Sequence, residues 1–201
     1  EPNIVNYIDT VQIKSDILVA RQMKPDAIIA CMHWGLEYHS LPNSSQKKLA
    51  DWLIDQGVDH VIGTHPHVVQ PMEVRPNKHH PSQHLIVYSL GNFISNMSKE
   101  NTDGGAMVKL ELKKLWGITR MEDCSYSLVW TSRPILSKKK NFEIYPSSFI
   151  TKPIKYEEFT PFKRFLDNTR TLYNKHNKGI KEYFFLKKSW RKIWRLKKKP
   201  Y

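Results

Sequence analysis

The sequence predicts an α/β protein whose sheet mixes parallel and antiparallel strands. Between residues 12 and 67, stretches with helical periodicity alternate with short apolar runs, in the order helix, strand, helix, strand. Short connections between such alternating elements imply parallel strands joined by right-handed crossovers. Residues 106–113 instead alternate apolar with mostly polar side chains, which is typical of a strand with one wet face. We therefore expect the sheet to pass from parallel to antiparallel in this region.

The first predicted pair of elements is a helix followed by a buried strand. Apolar residues recur at helical spacing over residues 12–23, and Pro25 ends the pattern. Residues 26–32 then form a nearly continuous apolar run, which favours a strand covered on both faces. Cys31 lies inside this run, and we expect its thiol to be buried there.

The second predicted pair repeats this order. A helix begins after the capping residues at 43–45, and Gly57 closes it. Residues 58–62 form the next apolar strand. The remaining predicted elements are an extended segment at residues 68–74, strands at 84–90 and 106–113, short strands at 125–131 and 142–145, and a helix at 159–173.

A histidine pair, His65 and His67, follows the second strand. Neutral imidazole is the commonest metal ligand, and two rings one residue apart on a turn can face one ion or two neighbouring ions. His33 ends the first strand, and the carboxyl ends of parallel strands lie at one edge of a sheet, so we expect all three histidines to meet. The alternatives are a polar loop that happens to carry histidine and, for His33, a core histidine beside Trp34.

Composition is typical of a soluble globular protein, with 40% hydrophobic and 25% charged residues. No apolar run approaches the roughly 20 residues of a membrane-spanning helix. Two cysteines are too few to imply a disulfide framework. The net charge of +13 is concentrated in residues 133–201, which hold 20 Lys and Arg against 5 Asp and Glu. We interpret these residues as a basic, partly helical C-terminal extension.

The end of this extension, residues 186–199, contains eight basic residues and no acidic one. Arranged as a helix it is amphipathic, with tryptophan at the apolar boundary, which favours the interface of an anionic membrane. The residues predicted to contact the membrane or another anion are Trp190, Trp194, Lys187, Lys188, Arg191, Lys192 and Arg195. Single-stranded nucleic acid and a merely solvated basic end are the alternatives.

Three motifs in order, at residues 33–38, 63–71 and 88–94, together resemble the CapA family of bacterial capsule and poly-γ-glutamate synthesis proteins. That family is similar to the calcineurin-like metallophosphoesterases. The resemblance covers roughly residues 3–112 and implies that residues 1–132 form the C-terminal half of a four-layer α/β/β/α sandwich.

The same resemblance implies a site for two divalent ions, which could be Zn, Mn or Fe. His33 and His65 would bind one ion and His67 the other, with Glu37 and Asn92 in supporting roles. The family's remaining ligands, an Asp-x-His, a bridging Asp and an Asn, find no match here and belong upstream of Glu1. We therefore expect this chain alone to bind metal weakly and to show no phosphoesterase turnover.

The implied function is capsule or poly-γ-glutamate biosynthesis at the cell envelope. The full-length protein would carry out hydrolase-like metal chemistry on an anionic polymer or a phosphoryl-containing substrate. The alternative is a non-catalytic envelope scaffold whose vestigial metal site accompanies binding to lipid or anionic polymer. Nucleic acid is a disfavoured partner. An ordinary metallophosphoesterase acting on nucleotides is disfavoured as well, because the sequence shows no recognisable base-binding feature.

Overall fold

The computed structural model describes residues 7–77, 82–147 and 155–183. Each predicted helix and strand occurs, with bounds shifted by a few residues. The helices are α1 (Thr10–Gln22), α2 (Ser44–Asp55), α3 (Pro134–Ser137) and α4 (Tyr156–His176). The strands are β1 (Ile29–His33), β2 (His60–Thr64), β3 (Val69–Pro76), β4 (Gln83–Leu90), β5 (Gly104–Leu115), β6 (Ile118–Ser132), β7 (Glu143–Pro146) and β8 (Lys181–Glu182).

Side-chain caps fix where the first two long helices begin. The Asp9 carboxylate accepts a hydrogen bond from the backbone N–H of Val11 at the start of α1. Asn43 and Gln46 form a reciprocal capping box at the start of α2, with distances of 2.9 and 3.1 Å. The cap predicted at residues 43–45 is therefore confirmed.

The strands form two sheets. The first has the order β1-β2-β4-β3, in which β1, β2 and β4 are parallel and β3 is antiparallel to β4. The predicted mixed sheet is thus confirmed. The second sheet contains β5, β6 and β7, all antiparallel, with β8 parallel to β6. The expectation that residues 106–113 continue the first sheet is wrong, because β5 pairs along its length with β6.

Alternation along β4 shows how the layers are stacked. Ile86 and Tyr88 point to one face of the first sheet, where they join a core with α1 and α2. Leu85 and Val87 point to the other face, where they pack with the second sheet and α4. Helices on one face and a second sheet on the other are the layers of half an α/β/β/α sandwich, so the predicted fold class is confirmed.

The helix α4 belongs to this second core. The ring of Tyr173 lies edge-on to Tyr126 at 4.9 Å between centroids, and Phe162 meets Trp130 at 5.8 Å. All four side chains are at most 5% exposed. The described residues of the basic extension therefore share a core with the preceding strands, while the predicted boundary after residue 132 stays a prediction.

The edge strand β1 is more exposed than its composition suggests. Ile29, Cys31 and His33 all present exposed side chains. The predictions that this strand is covered on both faces and that the Cys31 thiol is buried are wrong. The reason is geometric: among the described residues, the second sheet and α4 cover β3 and β4 and do not extend over β1.

No helix in the described ranges is both long and apolar enough to cross a membrane. The predicted contact residues of the basic end, including Trp190 and Trp194, lie outside the residues that the structure describes.

Candidate metal centre

The two loops that carry the predicted site leave the same edge of the first sheet. In the parallel pairing of β1 with β2, His33 lies opposite Thr64. Beyond the strands, the Trp34 N–H donates to the carbonyl of Thr64 at 3.2 Å, and the Tyr38 N–H donates to that of Pro66 at 2.8 Å. These bonds hold the two loops together over the length of both motifs.

Gly63 is required by the close approach of Trp34. The buried indole of Trp34 crosses the end of β2 and donates its Nε1–H to the carbonyl of Tyr88 at 2.8 Å. A Cβ at residue 63 would lie 2.4 Å from that nitrogen and 2.2 Å from that oxygen. Any other residue would displace the indole, so glycine fixes the strand end that leads to His65.

The histidine loop is strained. His65 and His67 have φ angles of 98° and 60°, and Tyr38 in the facing loop has 66°. Side-chain-bearing residues rarely adopt this region, at a cost of order 1–3 kcal/mol each. Such strain is concentrated at functional sites, where the surrounding structure enforces it.

The loops bring a carboxylate and two imidazoles together. The possible ligand atoms of Glu37, His65 and His67 all lie within 4.8 Å of one another. The distance from His67 Nε2 to Glu37 Oε1 is 3.9 Å. The His33 ring lies beside that of His65, with 4.5 Å between centroids and 47° between planes, yet this three-residue group does not include it. Glu37, expected only to support the site, therefore takes a central position, and the metal-binding roles of all four residues stay predictions.

Asn92 sets the tautomer of His67. Its Nδ2–H donates to the carbonyl of Thr102 at 2.8 Å, so its Oδ1 faces His67 Nδ1 at 3.1 Å. Because an amide oxygen can only accept, Nδ1 carries a proton, and in the neutral ring Nε2 then keeps its lone pair. A partner of this kind orients most metal-binding histidines. The supporting role predicted for Asn92 gains a physical basis.

Two residues that sequence reasoning did not single out flank the group. Tyr38 stacks on His67 with 6.2 Å between centroids, and the Lys99 ammonium lies 3.6 Å from the centre of the Tyr38 ring. A hydrogen bond with Glu37 raises the pKa of Tyr38, which keeps the phenol protonated as a donor to that carboxylate.

A buried amide pair supports the first loop from beneath. Gln46 donates to Gln70 at 2.8 Å, and Gln70 donates to the carbonyl of His39 at the same distance. Gly35 has a φ of 90°, and a Cβ there would lie 2.7 Å from the Gln46 side chain. Gln46 is recognisable in the sequence as a capping-box residue, but nothing local in the sequence indicates its bond to Gln70.

The donor set fits one divalent ion. Metal bonds of about 2.0–2.1 Å in a tetrahedron separate ligand atoms by roughly 3.4 Å, so small side-chain rotations would close the present group around an ion. Three ligands with an open fourth position are typical of catalytic zinc sites. Four other carboxylates are bonded elsewhere: Asp26 to Lys114, Asp59 to the Ile28 N–H, Glu73 to Arg75 and Asp103 to Trp130. These four carboxylates are therefore not free to hold the second predicted ion.

The family model described as bacterial capsule synthesis protein PGA_cap matches residues 1–97. Over those 97 of its 201 residues the chain is similar to this family. This segment contains β1, β2 and β4 together with the whole Glu37, His65 and His67 group. The CapA resemblance inferred from the three motifs is confirmed.

Two curated CapA proteins show the extent of the likeness. The PGA biosynthesis protein CapA of Bacillus subtilis (strain 168) is 39% identical over 89 residues, which are 44% of this chain and 22% of that protein. The capsule biosynthesis protein CapA of Bacillus anthracis is 36% identical over 88 residues, which are 44% of this chain and 20% of that protein. The matched part of the chain spans about a fifth of the length of these relatives.

Proposed function

We propose that this chain contributes part of a metal centre to a capsule or poly-γ-glutamate biosynthesis protein, and that the full-length protein performs hydrolase-type chemistry at the cell envelope. One observation carries the proposal: the ligand atoms of Glu37, His65 and His67 lie within 4.8 Å of one another. The names of the two CapA relatives supply the biosynthetic context. The substrate class that suits the centre is an anionic polymer or a phosphoryl-containing compound.

Each residue of the centre has a distinct task. His65, His67 and Glu37 would hold the ion, and the bond from His67 Nδ1 to Asn92 would leave Nε2 of the neutral ring to face it. A bound divalent ion supplies Lewis-acid polarisation of a substrate oxygen or lowers the pKa of a water molecule. Glu37 is half-exposed, so the centre is accessible from solvent. Lys99 adds positive charge beside Tyr38 and would attract an anionic substrate.

The test is metal-dependent hydrolysis of a generic phosphodiester by the full-length gene product. We expect activity that a chelator removes, that His67→Ala abolishes and that His39→Ala retains, since His39 is exposed and stands outside the group. Hydrolysis that survives both chelation and His67→Ala would contradict the proposal. The 201-residue chain alone is expected to show no turnover, and turnover there would overturn the half-domain interpretation.

A non-catalytic envelope scaffold is the second candidate. It is favoured by the engagement of Asp26, Asp59, Glu73 and Asp103 in bonds away from the histidines. The two candidates differ in what His67→Ala does in cells. Capsule production that persists in this variant supports the scaffold, whereas its loss together with hydrolysis supports the enzyme.

A further inference from the structure

The strands β5 and β6 form a long hairpin whose tip is a two-residue turn. Their pairing runs from Gly104 opposite Trp130 to Leu115 opposite Ile118. The turn residues Trp116 and Gly117 have φ angles of 54° and 79°. Two consecutive positive φ angles in a two-residue loop are the signature of a type I′ turn.

Tryptophan is an unfavourable residue for this turn. The first position of a type I′ turn favours Asn, Asp or Gly, and a bulky side chain with positive φ is strained. Trp116 is 91% exposed, so burial does not offset this strain. A Cβ added at Gly117 would meet nothing within 4 Å, which shows that the tip projects into open space. Neither packing nor turn preference accounts for an indole here.

Side chains change character with distance from the tip. Leu115 and Ile118 flank the tryptophan and are 53% and 38% exposed, so the tip is apolar. Directly behind it, Lys113 pairs across the hairpin with Arg120. We call the residues Lys113, Lys114 and Arg120 the basic collar. Lys114 donates to Asp26 at 2.5 Å, and Lys113 lies 3.5 Å from Glu122.

The hairpin's own acidic residues begin only behind this collar, whereas Asp26, from outside the hairpin, pairs with Lys114 within it. Glu111 lies four positions before Leu115, which places it roughly 13 Å back along the strand. Glu122 lies at the corresponding distance on the returning strand. Along the hairpin itself, the order from the tip inward is therefore apolar, basic and then acidic.

We propose that this hairpin tip binds the interface of an anionic membrane. Trp116, Leu115 and Ile118 would enter the boundary between headgroups and acyl chains, and the basic collar would meet the lipid phosphates. Tryptophan is enriched at that boundary, and basic residues close to an anionic surface add to the attraction. Interfacial elements enter by about 5–10 Å, so the hairpin's own acidic residues, which lie farther back along the strands, stay clear of the bilayer.

A protein partner suits the tip less well than lipid. A stable protein interface buries about 800 Å² and some 20–30 residues on each side, far more than a two-residue turn and its neighbours present. Charge points the same way, because the three basic side chains of the collar outnumber Asp26 and Glu122, the two acidic residues paired with them, and complement lipid phosphates. The proposal is independent of the metal centre, since none of its residues contacts Glu37, His65 or His67.

Vesicle flotation of the 201-residue chain tests the proposal. The seven residues of the basic end that are predicted to bind the same lipid are changed to alanine in every protein compared: Trp190, Trp194, Lys187, Lys188, Arg191, Lys192 and Arg195. We expect flotation with vesicles of phosphatidylcholine mixed with phosphatidylglycerol, and little with phosphatidylcholine alone. Trp116→Ala should lower the partition coefficient for the anionic vesicles roughly tenfold, since it removes a large apolar side chain from the interface.

Three further variants make the result specific. Trp116→Phe retains an aromatic ring and should retain most of the binding. Tyr156→Ala is the matched control, because Tyr156 is 90% exposed in a different element and its loss should change nothing. Trp116→Asn should raise the melting temperature, since Asn-Gly is the preferred type I′ turn, and should lose binding as alanine does. If Trp116 served only to stabilise the turn, Trp116→Asn would instead lower the melting temperature.

Three results would overturn the proposal. They are absence of flotation with anionic vesicles, equal flotation of the Trp116→Ala protein, and a loss of flotation in Tyr156→Ala as large as that in Trp116→Ala. Sedimentation of the same proteins without lipid checks the protein-partner explanation. Self-association that disappears with Trp116→Ala would assign the tip to a second copy of the chain and contradict lipid binding.

Discussion

The first sheet carries histidines at both of its ends, and the two groups differ in almost everything except residue type. At the amino ends of β2 and β4, His60 and His84 are 2% and 5% exposed. His60 Nδ1 accepts from the Leu85 N–H at 3.1 Å, and His84 Nδ1 donates to the carbonyl of Asp59 at 2.9 Å. These rings complete the hydrogen bonding of the sheet's backbone.

At the opposite edge, His65 and His67 are only half-buried and bear ring nitrogens directed towards Glu37. Side chains rather than backbone groups orient them, with Asn92 bonded to His67 Nδ1. The comparison teaches that the partner of each ring nitrogen, and not the residue type, separates a structural histidine from a candidate ligand.

The largest difference between the two groups should appear in metal affinity. His65→Ala removes one of the three proposed ligands, and we expect the full-length gene product to lose roughly 100-fold or more in affinity for Zn²⁺ while remaining folded. Calorimetric titration measures the change, with His39→Ala as the matched control. Unchanged affinity in His65→Ala would mean that these histidines form only a polar turn.

At the amino ends of the strands we expect a substitution to change stability and not metal affinity. His60→Ala leaves the buried Leu85 N–H without its acceptor and opens a cavity, so the free energy of unfolding should fall by about 2 kcal/mol or more. Metal affinity should not change. Urea denaturation followed by the same titration checks both statements, and a loss of metal binding without a loss of stability would invalidate the distinction.

A smaller effect is expected from the residue that orients His67. Asn92→Ala should weaken metal binding by about tenfold, because the ring loses the acceptor that fixes its tautomer. Asn92→Asp keeps an acceptor for Nδ1 and should lose less. Equal losses in both variants would show that Asn92 acts through its bond to the Thr102 carbonyl instead.

The smallest expected effect is a loss of stability at acidic pH that depends on His60. Burial lowers the pKa of His60 below its ordinary value, so the folded chain binds this proton less readily than the unfolded chain does. Above about pH 6.5 both states are neutral at this residue and it has no effect. As the pH falls below that value, stability should decline by at most about 1.4 kcal/mol per pH unit from this group.

Denaturation midpoints measured across this pH range test the prediction. His60→Gln, which has no titrating ring, should show a flatter dependence than the original chain. Identical pH profiles for the two proteins would show that other groups control the acid response.

Periodicity was sufficient to predict the edge of the sheet where the centre lies. The alternation of α1, β1, α2 and β2 places the loops after His33 and His65 side by side, and the register of His33 with Thr64 confirms this. The position of Glu37 was not predictable in the same way. It depends on positive φ angles at Gly35 and Tyr38 and on the bond from Tyr38 to Pro66, none of which leaves a periodic signal.

The second sheet shows that periodicity can predict strands without predicting how they are connected. Apolar alternation correctly indicated strands around residues 106–113 and 125–131, but the hairpin joining them was missed. Its turn begins with Trp116, which is not a residue that ordinarily marks a turn. Likewise, the apolar run ending at His33 resembles a central strand, yet β1 is an exposed edge strand. Its burial depends on which other elements reach its outer face, and the run itself does not encode that.

An anomalous diffraction map from crystals of the 201-residue chain soaked in Mn²⁺ or Zn²⁺ tests the central claim most directly. Crystal soaking at high ion concentration fills even a weak site. The account predicts a peak bonded to Glu37, His65 and His67, with His67 binding through Nε2. A peak at His60 or His84, or no peak near the Glu37 group at saturating ion, would contradict it.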